Sequence, residues 1–411
     1  MTTSTRIYAG GAIAFGGQPA ITDLLAAGYG TVIVWSVHVD SKGNLILNNT
    51  QIVSGGVYNE AQAMNLPARL AQLHKAGVEI IFSVGSGGTS DFTNIDALMG
   101  GKPAGPGNPL YDNFAALKRA MVAAGGDIDA IDFDNEDNLT AEVMVNFGIT
   151  LANIGYAHVT FCPYQDTWIN NGVAPDPTWF DAMKGLVNNP ATGSKFVSAI
   201  HLQCYSGGSD NLAIVDQWTT GFQKAGGSAL MIPGLATNQA ADGPWWYNNA
   251  PGVDVNTVPN VAMYGEGNWD NYLYTQNFPT VDQALKAAQT AASFFFYCRG
   301  PMVLGNGRSF QIGDAVYFMG SPWWGSAPQC DAYYLGGPCN NTFNPIAGAC
   351  PSDLEAQYKA WGKSVDGGFI WLYDSVISCL LSGCCGGTME KPAGTALAYR
   401  EAITGGLGTA G

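Results

Sequence analysis

Positive charge is what this sequence has least of: 17 Lys and Arg stand against 32 Asp and Glu, a formal net charge of −15 over 411 residues. No stretch gathers basic residues into a patch that could neutralise phosphates, so no nucleic acid is expected among the partners. Long apolar runs are missing too. None reaches the roughly 20 residues that span a bilayer, which argues against membrane insertion. The opening MTTSTRIYAGGAIAF has neither a basic start nor an extended apolar core followed by a cleavage site, so no secretory signal is visible. Charge of either sign is sparse at 12% of residues, while 47% are hydrophobic, enough to build a large core. Much of the polar surface must then be Asn, Gln, Ser, Thr and Gly, which suits uncharged polar ligands.

Histidine is scarcer than cysteine, four against nine, and none of the four lies near the cysteine-rich end. No CxxC pair exists and Cys384 and Cys385 are adjacent, so the spacing of a structural zinc site is absent and neither a metal nor a cofactor is expected. Six of the nine cysteines fall between Cys330 and Cys385. That density points to disulfides and a secreted protein, and the odd total leaves at least one thiol unpaired within the chain.

What the chain has in plenty is alternation of short β-type runs with longer helical ones, the pattern of parallel βαβ units. Eight strands are predicted: Ile7 to Phe15, Thr31 to Val39, Val78 to Val84, Asp129 to Asp134, His158 to Cys162, Phe196 to Cys204, Leu230 to Leu235 and Gly368 to Leu372. Helical periodicity marks Asn59 to Ala76, Asn113 to Ala124, Ala141 to Ile154 and Leu212 to Ala225. Such a series closes into a (β/α)8 TIM barrel, with a doubly wound open sheet as the rival that periodicity does not separate. Gly243 to Ser352 is too long for an ordinary loop and reads as a Cys- and aromatic-rich insertion between strands 7 and 8. It holds a helical run from Thr280 to Phe295 and a strand-like stretch from Arg308 to Trp324. The whole of 1–411 is then one α/β catalytic domain, with 243–352 as a lobe within it.

The densest chemical signal is DIDAIDFDNED, residues 127–137, which holds five of the 24 Asp and one of only eight Glu. Alternate residues of a strand share a face, so Asp132, Asp134 and Glu136 project together while Ile131 and Phe133 face the helices. Repulsion and burial disfavour ionising all three, and at least one proton stays near neutral pH. Glu136 is outermost, at the carboxyl end where barrel active sites form, which suits a general acid; Asp134 can share its proton and Asp132 tunes the pair. A solvated acidic loop or a calcium site is the plainer alternative. The β-branched and aromatic filler at strict period two argues against the first, and the lack of Gly and of ligand spacing over a dozen residues against the second.

Asp129, Asp132, Asp134 and Glu136 match the DxxDxDxE signature of glycoside hydrolase family 18, the chitinases and endo-β-N-acetylglucosaminidases. Other stretches follow in matching order. YAGGAIAFGG resembles the first strand of the small plant-type, hevamine-like chitinases, and IIFSVGSGG the SxGG segment of the third strand. HVTFCPYQDTW is similar to the fifth-strand segment, HLQCYSGG to the sixth-strand Gln-x-Tyr, IPGLATNQAADG to the seventh and GGFIWLYD to the eighth. The resemblance covers most of the chain except roughly 245–352.

The resemblance implies hydrolysis of β-1,4-linked N-acetylglucosamine, in chitin or its oligosaccharides, by a substrate-assisted retaining mechanism in which the 2-acetamido oxygen attacks the anomeric carbon. It implies Glu136 as acid and later base, and Asp134 turning from Asp132 to orient the acetamido group. It further implies Tyr205 as a donor to that group, Gln203 in the adjoining subsite, Trp371 as the floor under the sugar, and Asp129 as the last substrate-site residue of the signature. An endo-β-N-acetylglucosaminidase on N-glycan cores shares the same strand. A catalytically weak chitinase-like carbohydrate-binding protein is the non-enzymatic alternative, against which Glu136 is present. Three departures stand out: Ser86 where the family's second Gly falls, suggesting a third strand that is bulged or aligned differently; Ser206 in place of the usual Asp or Asn after the Tyr; and Asn135 in place of an apolar residue. Trp245, Trp246, Tyr247, Trp269, Tyr272, Trp323 and Trp324 in the insertion are expected to stack on sugar rings, and 313–324 faintly resembles a chitin-binding core.

Overall fold

The computed structural model describes residues 3–237 and 350–408, except 16, 49, 61–64, 165–174, 206–211, 383–384, 386 and 389–390; between 238 and 349 it describes only the backbone of short strands. The chain is α/β with a parallel sheet. Its parallel strands are β1 (Ser4–Ala9), β2 (Thr31–Val39), β3 (Glu79–Gly85), β4 (Ala130–Asp134), β5 (His158–Phe161), β6 (Val197–Ile200), β7 in two pieces (Leu230–Met231 and Gly234–Ala236) and β8 (Gly367–Trp371). Each pairs with its neighbour in chain order, and β1 also pairs with β8, Arg6 lying beside Phe369.

The seventh strand is split because Pro233 has no N–H for a ladder. Its first piece pairs with β6 and its second with β8. The segment stays bonded between them: Ile232 N–H donates to Ile200 O at 2.8 Å, Gly234 N–H to Leu202 O at 2.8 Å, and Phe369 N–H to Pro233 O at 3.2 Å. The order of parallel strands therefore begins and ends in one segment.

All eight expected strands are present; Thr31–Val39 has the expected ends and the others are shifted. The largest correction is at Ile7 to Phe15, where the strand stops at Ala9 and Gly11–Phe15 is helical. A contact distant in sequence decides this: the Asp374 carboxylate accepts the N–H groups of Gly10 at 2.7 Å and Ala12 at 2.6 Å, turning the chain out of the sheet. Phe196 to Cys204 is ladder only as far as Ile200, followed by single bridges at Gln203. Of Asn59 to Ala76, Leu66–Lys75 is helix, 61–64 lie outside the described residues, and the Asn59 N–H still donates to Ile52 O at the end of an antiparallel excursion through Leu45–Leu47, Thr50–Ser54 and Val57–Tyr58. The expected irregularity in the third strand lies instead in β2, whose register shifts between Val34 and Val37, while β3 pairs evenly with β4 from Ile81 to Gly85.

Period two builds two cores. Tyr8, Ile33, Trp35, Ile81, Ala130, Cys162, Ala199, Ile232 and Phe369 cluster on one face of the sheet. Ile7, Val32, Ile80, Phe82, Ile131, Phe133 and Val159 belong to the larger cluster shared with the helices. Phe133 stacks on Phe147 of helix Ala141–Ile154, ring centroids 5.1 Å apart, and this fixes β4 by its outer side chains. Thr140 caps that helix through the Val143 N–H and Gly155, at φ 105°, ends it.

Between 238 and 349 the described strands are antiparallel. Val261–Gly265 pairs with Gln276–Phe278 and Phe294–Cys298, and the latter with Ala315–Phe318. The expected helix from Thr280 thus meets a strand at its end, and the residues before Phe294 lie outside those described. So do the seven insertion aromatics and Ser206. Among the described residues no helix is long and apolar enough to cross a membrane, and no His, Cys, Asp and Glu group is arranged to hold a metal. Cys350 and Cys385 form a disulfide, and Cys162 and Cys204 are buried.

Candidate active site

Three acidic side chains rise along β4 as period two requires, each in a different environment. Asp132 is fully buried. Its Oδ1 accepts from the Thr160 hydroxyl at 2.6 Å and from His201 Nδ1 at 2.8 Å, and its Oδ2 from the Tyr8 hydroxyl at 2.8 Å and the Ser83 hydroxyl at 2.9 Å. Burial works to raise its pKa, but His201 together with the Thr160 and Tyr8 hydrogen bonds outweighs it and holds Asp132 below the usual carboxylate range.

Asp134 is buried without that set of donors. Trp35 Nε1 donates to its Oδ2 at 3.2 Å and Gln203 Nε2 to its Oδ1 at 3.0 Å. Burial, then the charges of Glu136 and Asp132, push its pKa well above the ordinary value. Glu136 lies two residues past the strand end and is half-buried. Burial raises its pKa, against the opposing hydrogen bonds of Gln203, at 3.3 Å, and of Asp134. Both carboxyls are thus shifted towards holding a proton, Asp134 the more strongly. Asp134 engages Trp35, Gln203 and Glu136, while Asp132 keeps its own four donors.

Tyr205 and Trp371 lie beside the Asp134–Glu136 pair. The Tyr205 ring stacks on Trp371, centroids 5.5 Å apart and planes 22° apart, and its hydroxyl is buried with no hydrogen-bond partner among the described residues. A buried hydroxyl without a partner costs on the order of 1–3 kcal/mol, which an incoming acceptor would repay. Trp371 is partly exposed, meeting Trp35 edge-on at 4.6 Å and Tyr8 at 5.3 Å. Gln203 also reaches Cys162 O at 3.3 Å, so two amide hydrogens serve three acceptors.

Asp129 is not brought to this group. It sits just before the amino end of β4, its Oδ2 accepting the Ile80 N–H at 2.7 Å and its Oδ1 lying 3.7 Å from His74. Asn135 is buried for a structural reason: its Oδ1 accepts the Asn138 N–H at 3.2 Å and its Nδ2 donates to Asn138 O at 2.8 Å, closing the turn that carries Glu136.

No family model matches this chain, and no curated protein does. Several of the solved structures similar to it are family 18 chitinases. A family 18 chitinase of Pseudoalteromonas aurantia is 14% identical at TM-score 0.41, over 62% of this chain and 86% of that one. A plant class V chitinase mutant of Cycas revoluta in complex with (GlcNAc)3 is 10% identical at 0.45, over 97% and 99%. The chitinase-like agglutinin of Robinia pseudoacacia is 10% identical at 0.42, over 97% and 100%. At such identities the site is argued from its own side chains.

Sequence reasoning missed Arg6, Tyr8, Trp35, Ser83, Thr160 and His201. Period two applied to β1, β5 and the end of β6 would have found most of them, since Arg6, Tyr8, Thr160, His201, Gln203 and Tyr205 occupy alternating positions. Arg6 Nη1 lies 3.0 Å from His201 Nε2 and 3.5 Å from Glu79. A guanidinium only donates, so Nε2 accepts and the imidazole proton is on Nδ1, facing Asp132.

The buried carboxyls predict an unusual pH response. Burial pushes Asp374 up to about 6, and Asp134, Glu136 and Asp23 are raised by burial too, whereas Asp132 is lowered. A raised carboxyl binds its proton more tightly in the folded chain, so its contribution is present below the unfolded value near 3.9 and is lost as pH rises through the folded one. These four raised carboxyls favour the fold as pH falls from 8 to 5, while buried His201, whose pKa is lowered, opposes it, so a net gain on the order of 1 kcal/mol is expected, lost again where Asp132 protonates. Thermal unfolding at the two pH values checks this, and a lower midpoint at pH 5 contradicts it.

Proposed function

We propose that the chain is a family 18-type glycoside hydrolase built on a (β/α)8 barrel and that it cleaves β-1,4-linked N-acetylglucosamine in chitin or its oligosaccharides. The β7 segment bonded on both edges supports closure of the sheet, and the separate antiparallel strands between 261 and 318 support a lobe inserted at 243–352. The observation that carries the activity is the Asp134–Glu136 pair, both carboxyls shifted by burial towards holding a proton, bridged by Gln203 and beside a buried Tyr205 hydroxyl that has no partner among the described residues, with partly exposed Trp371 stacked on the Tyr205 ring.

Each group has one task. Trp371 offers an apolar face to the sugar ring. Tyr205 donates to the carbonyl oxygen of the 2-acetamido group, and this fixes that oxygen below the anomeric carbon. As the acetamido N–H approaches Asp134, the shared proton passes to Glu136, which gives it to the leaving glycosidic oxygen. The acetamido oxygen bonds to the anomeric carbon as that bond breaks, and ionised Asp134 stabilises the positive charge on the ring so formed. Glu136, now a carboxylate, takes a proton from water, which attacks from the vacated side and restores the configuration. The Cys350–Cys385 disulfide supports secretion into an oxidising compartment.

The test is hydrolysis of chitotetraose with the anomer of the first product read by NMR. Retention of the β configuration and inhibition by a thiazoline analogue of the intermediate are expected; inversion, or indifference to the thiazoline, overturns the mechanism. Parallel incubation with an N-glycan distinguishes endo-β-N-acetylglucosaminidase action, and tight oligosaccharide binding without turnover would make the chain a chitinase-like binding protein.

A further inference from the structure

The row of carboxylates on β4 is not a relay of equals. Asp132 has two donors on each oxygen, about the full acceptor capacity of a carboxylate, so no lone pair remains for a proton shared with Asp134. Three of those donors are hydroxyls, which rotate and serve a charged or a neutral acid equally well. His201 is different. Its Nε2 is occupied by Arg6, which cannot accept, so its Nδ1–H points at Asp132 and cannot reverse. His201 is fully buried and Arg6 nearly so, and Thr31 and Arg6 hold Glu79 on the far side. The series Glu79, Arg6, His201, Asp132 runs from the amino ends of β1 and β3 towards the active carboxyls.

We propose that His201, braced by Arg6, is a positioning residue for the hydrolysis: it fixes Asp132 as a permanent anion, so that the exchangeable proton of the site is confined to the Asp134–Glu136 pair. The proposal rests on the reading of that pair as the catalytic acid. The charged and titratable groups facing Asp132 agree with it. On β1 they are Arg6 and Tyr8, on β3 Glu79, after β5 Cys162, after β6 His201 and Tyr205, on its own strand Asp134, and past its end Glu136. Arg6 is the one cation among them, and it reaches Asp132 through His201. Burial keeps the His201 pKa below its ordinary value, consistent with a neutral imidazole donating a single fixed proton. Sequence placed this residue two positions before Gln203, on the same face of the strand, without assigning it a part.

His201→Leu removes the donor, and His201→Asn restores an N–H at the Nδ1 position. In His201→Leu, Asp132 takes up a proton more readily and ceases to oppose ionisation of Asp134. The basic limb of the kcat profile is then expected to move about one unit to lower pH, with kcat at neutral pH down about tenfold and KM little changed. His201→Asn should return the limb most of the way. If His201→Leu does not fold, Arg6→Gln, which keeps a donor towards Nε2 and drops the cation, should move the limb in the same direction by less. A second readout needs no turnover: the infrared carbonyl stretch of the protonated acid, identified by its loss in Asp134→Asn, should titrate at lower pH in His201→Leu than in the parent. An unchanged limb and an unchanged infrared titration overturn the proposal. A shifted infrared titration in a chain that cleaves no oligosaccharide leaves it standing and overturns the hydrolase reading instead.

Discussion

Glu136→Gln is expected to lower turnover of chitotetraose about 10²–10⁴-fold, the usual worth of a positioned general acid, while the dissociation constant stays within a few-fold of the parent's. The substitution keeps the shape of the side chain. Gln203 Nε2, 3.3 Å from Glu136 Oε1, still finds an oxygen to donate to, and Asp134 can still hydrogen-bond across. What disappears is an acidic proton at the leaving oxygen and, in the second half of the reaction, a base for water. Both losses fall on the transition state rather than on ground-state binding, so kcat and kcat/KM should drop together. Steady-state kinetics beside calorimetric binding of the same tetrasaccharide separates the two quantities. Equal hydrolysis by variant and parent would falsify Glu136 as the acid, and loss of binding in parallel with loss of turnover would mean that the residue organises the cleft instead.

That prediction was available from sequence because β4 announces itself. Ile131 and Phe133 alternate with Asp132 and Asp134, so both the strand and the face were legible, and the acid strand's own neighbours confirm the alternation. Tyr205 and Trp371 were reached only through resemblance, since an isolated Tyr or Trp at a strand end carries no periodic signal. The donors around Asp132 were harder still: Tyr8, Ser83, Thr160 and His201 come from four different strands or strand ends, far apart in sequence, and no local pattern says that they meet at one carboxylate. The end of β1 was misread for a related reason. AGGAIAF is as apolar as a strand, and the contact that bends it into a helix is Asp374, far along the chain. Local pattern specifies which face a side chain occupies; it does not specify which distant partner meets it.

Gly85→Ala should be among the most damaging substitutions in the chain, at about 4 kcal/mol of stability or more. Gly85 is the last residue of β3, in register with Asp134, at φ 106°. A Cβ there would lie 2.1 Å from the Asp134 carbonyl oxygen and 2.8 Å from its carbonyl carbon, both backbone atoms with no rotamer to yield. Relief requires β3 and β4 to separate at the level where the acid pair begins, so any variant that folds should also lose turnover. Gly88 is the control: it too has a positive φ, 78°, yet nothing lies within 4 Å of an added Cβ. Gly88→Ala should therefore cost only the left-handed backbone strain, about 1–2 kcal/mol. Chemical denaturation of the two variants measures the difference directly. If Gly85→Ala proves as stable as Gly88→Ala, the close approach of β3 to the backbone of Asp134 is wrong, and with it the geometry that places the shared proton.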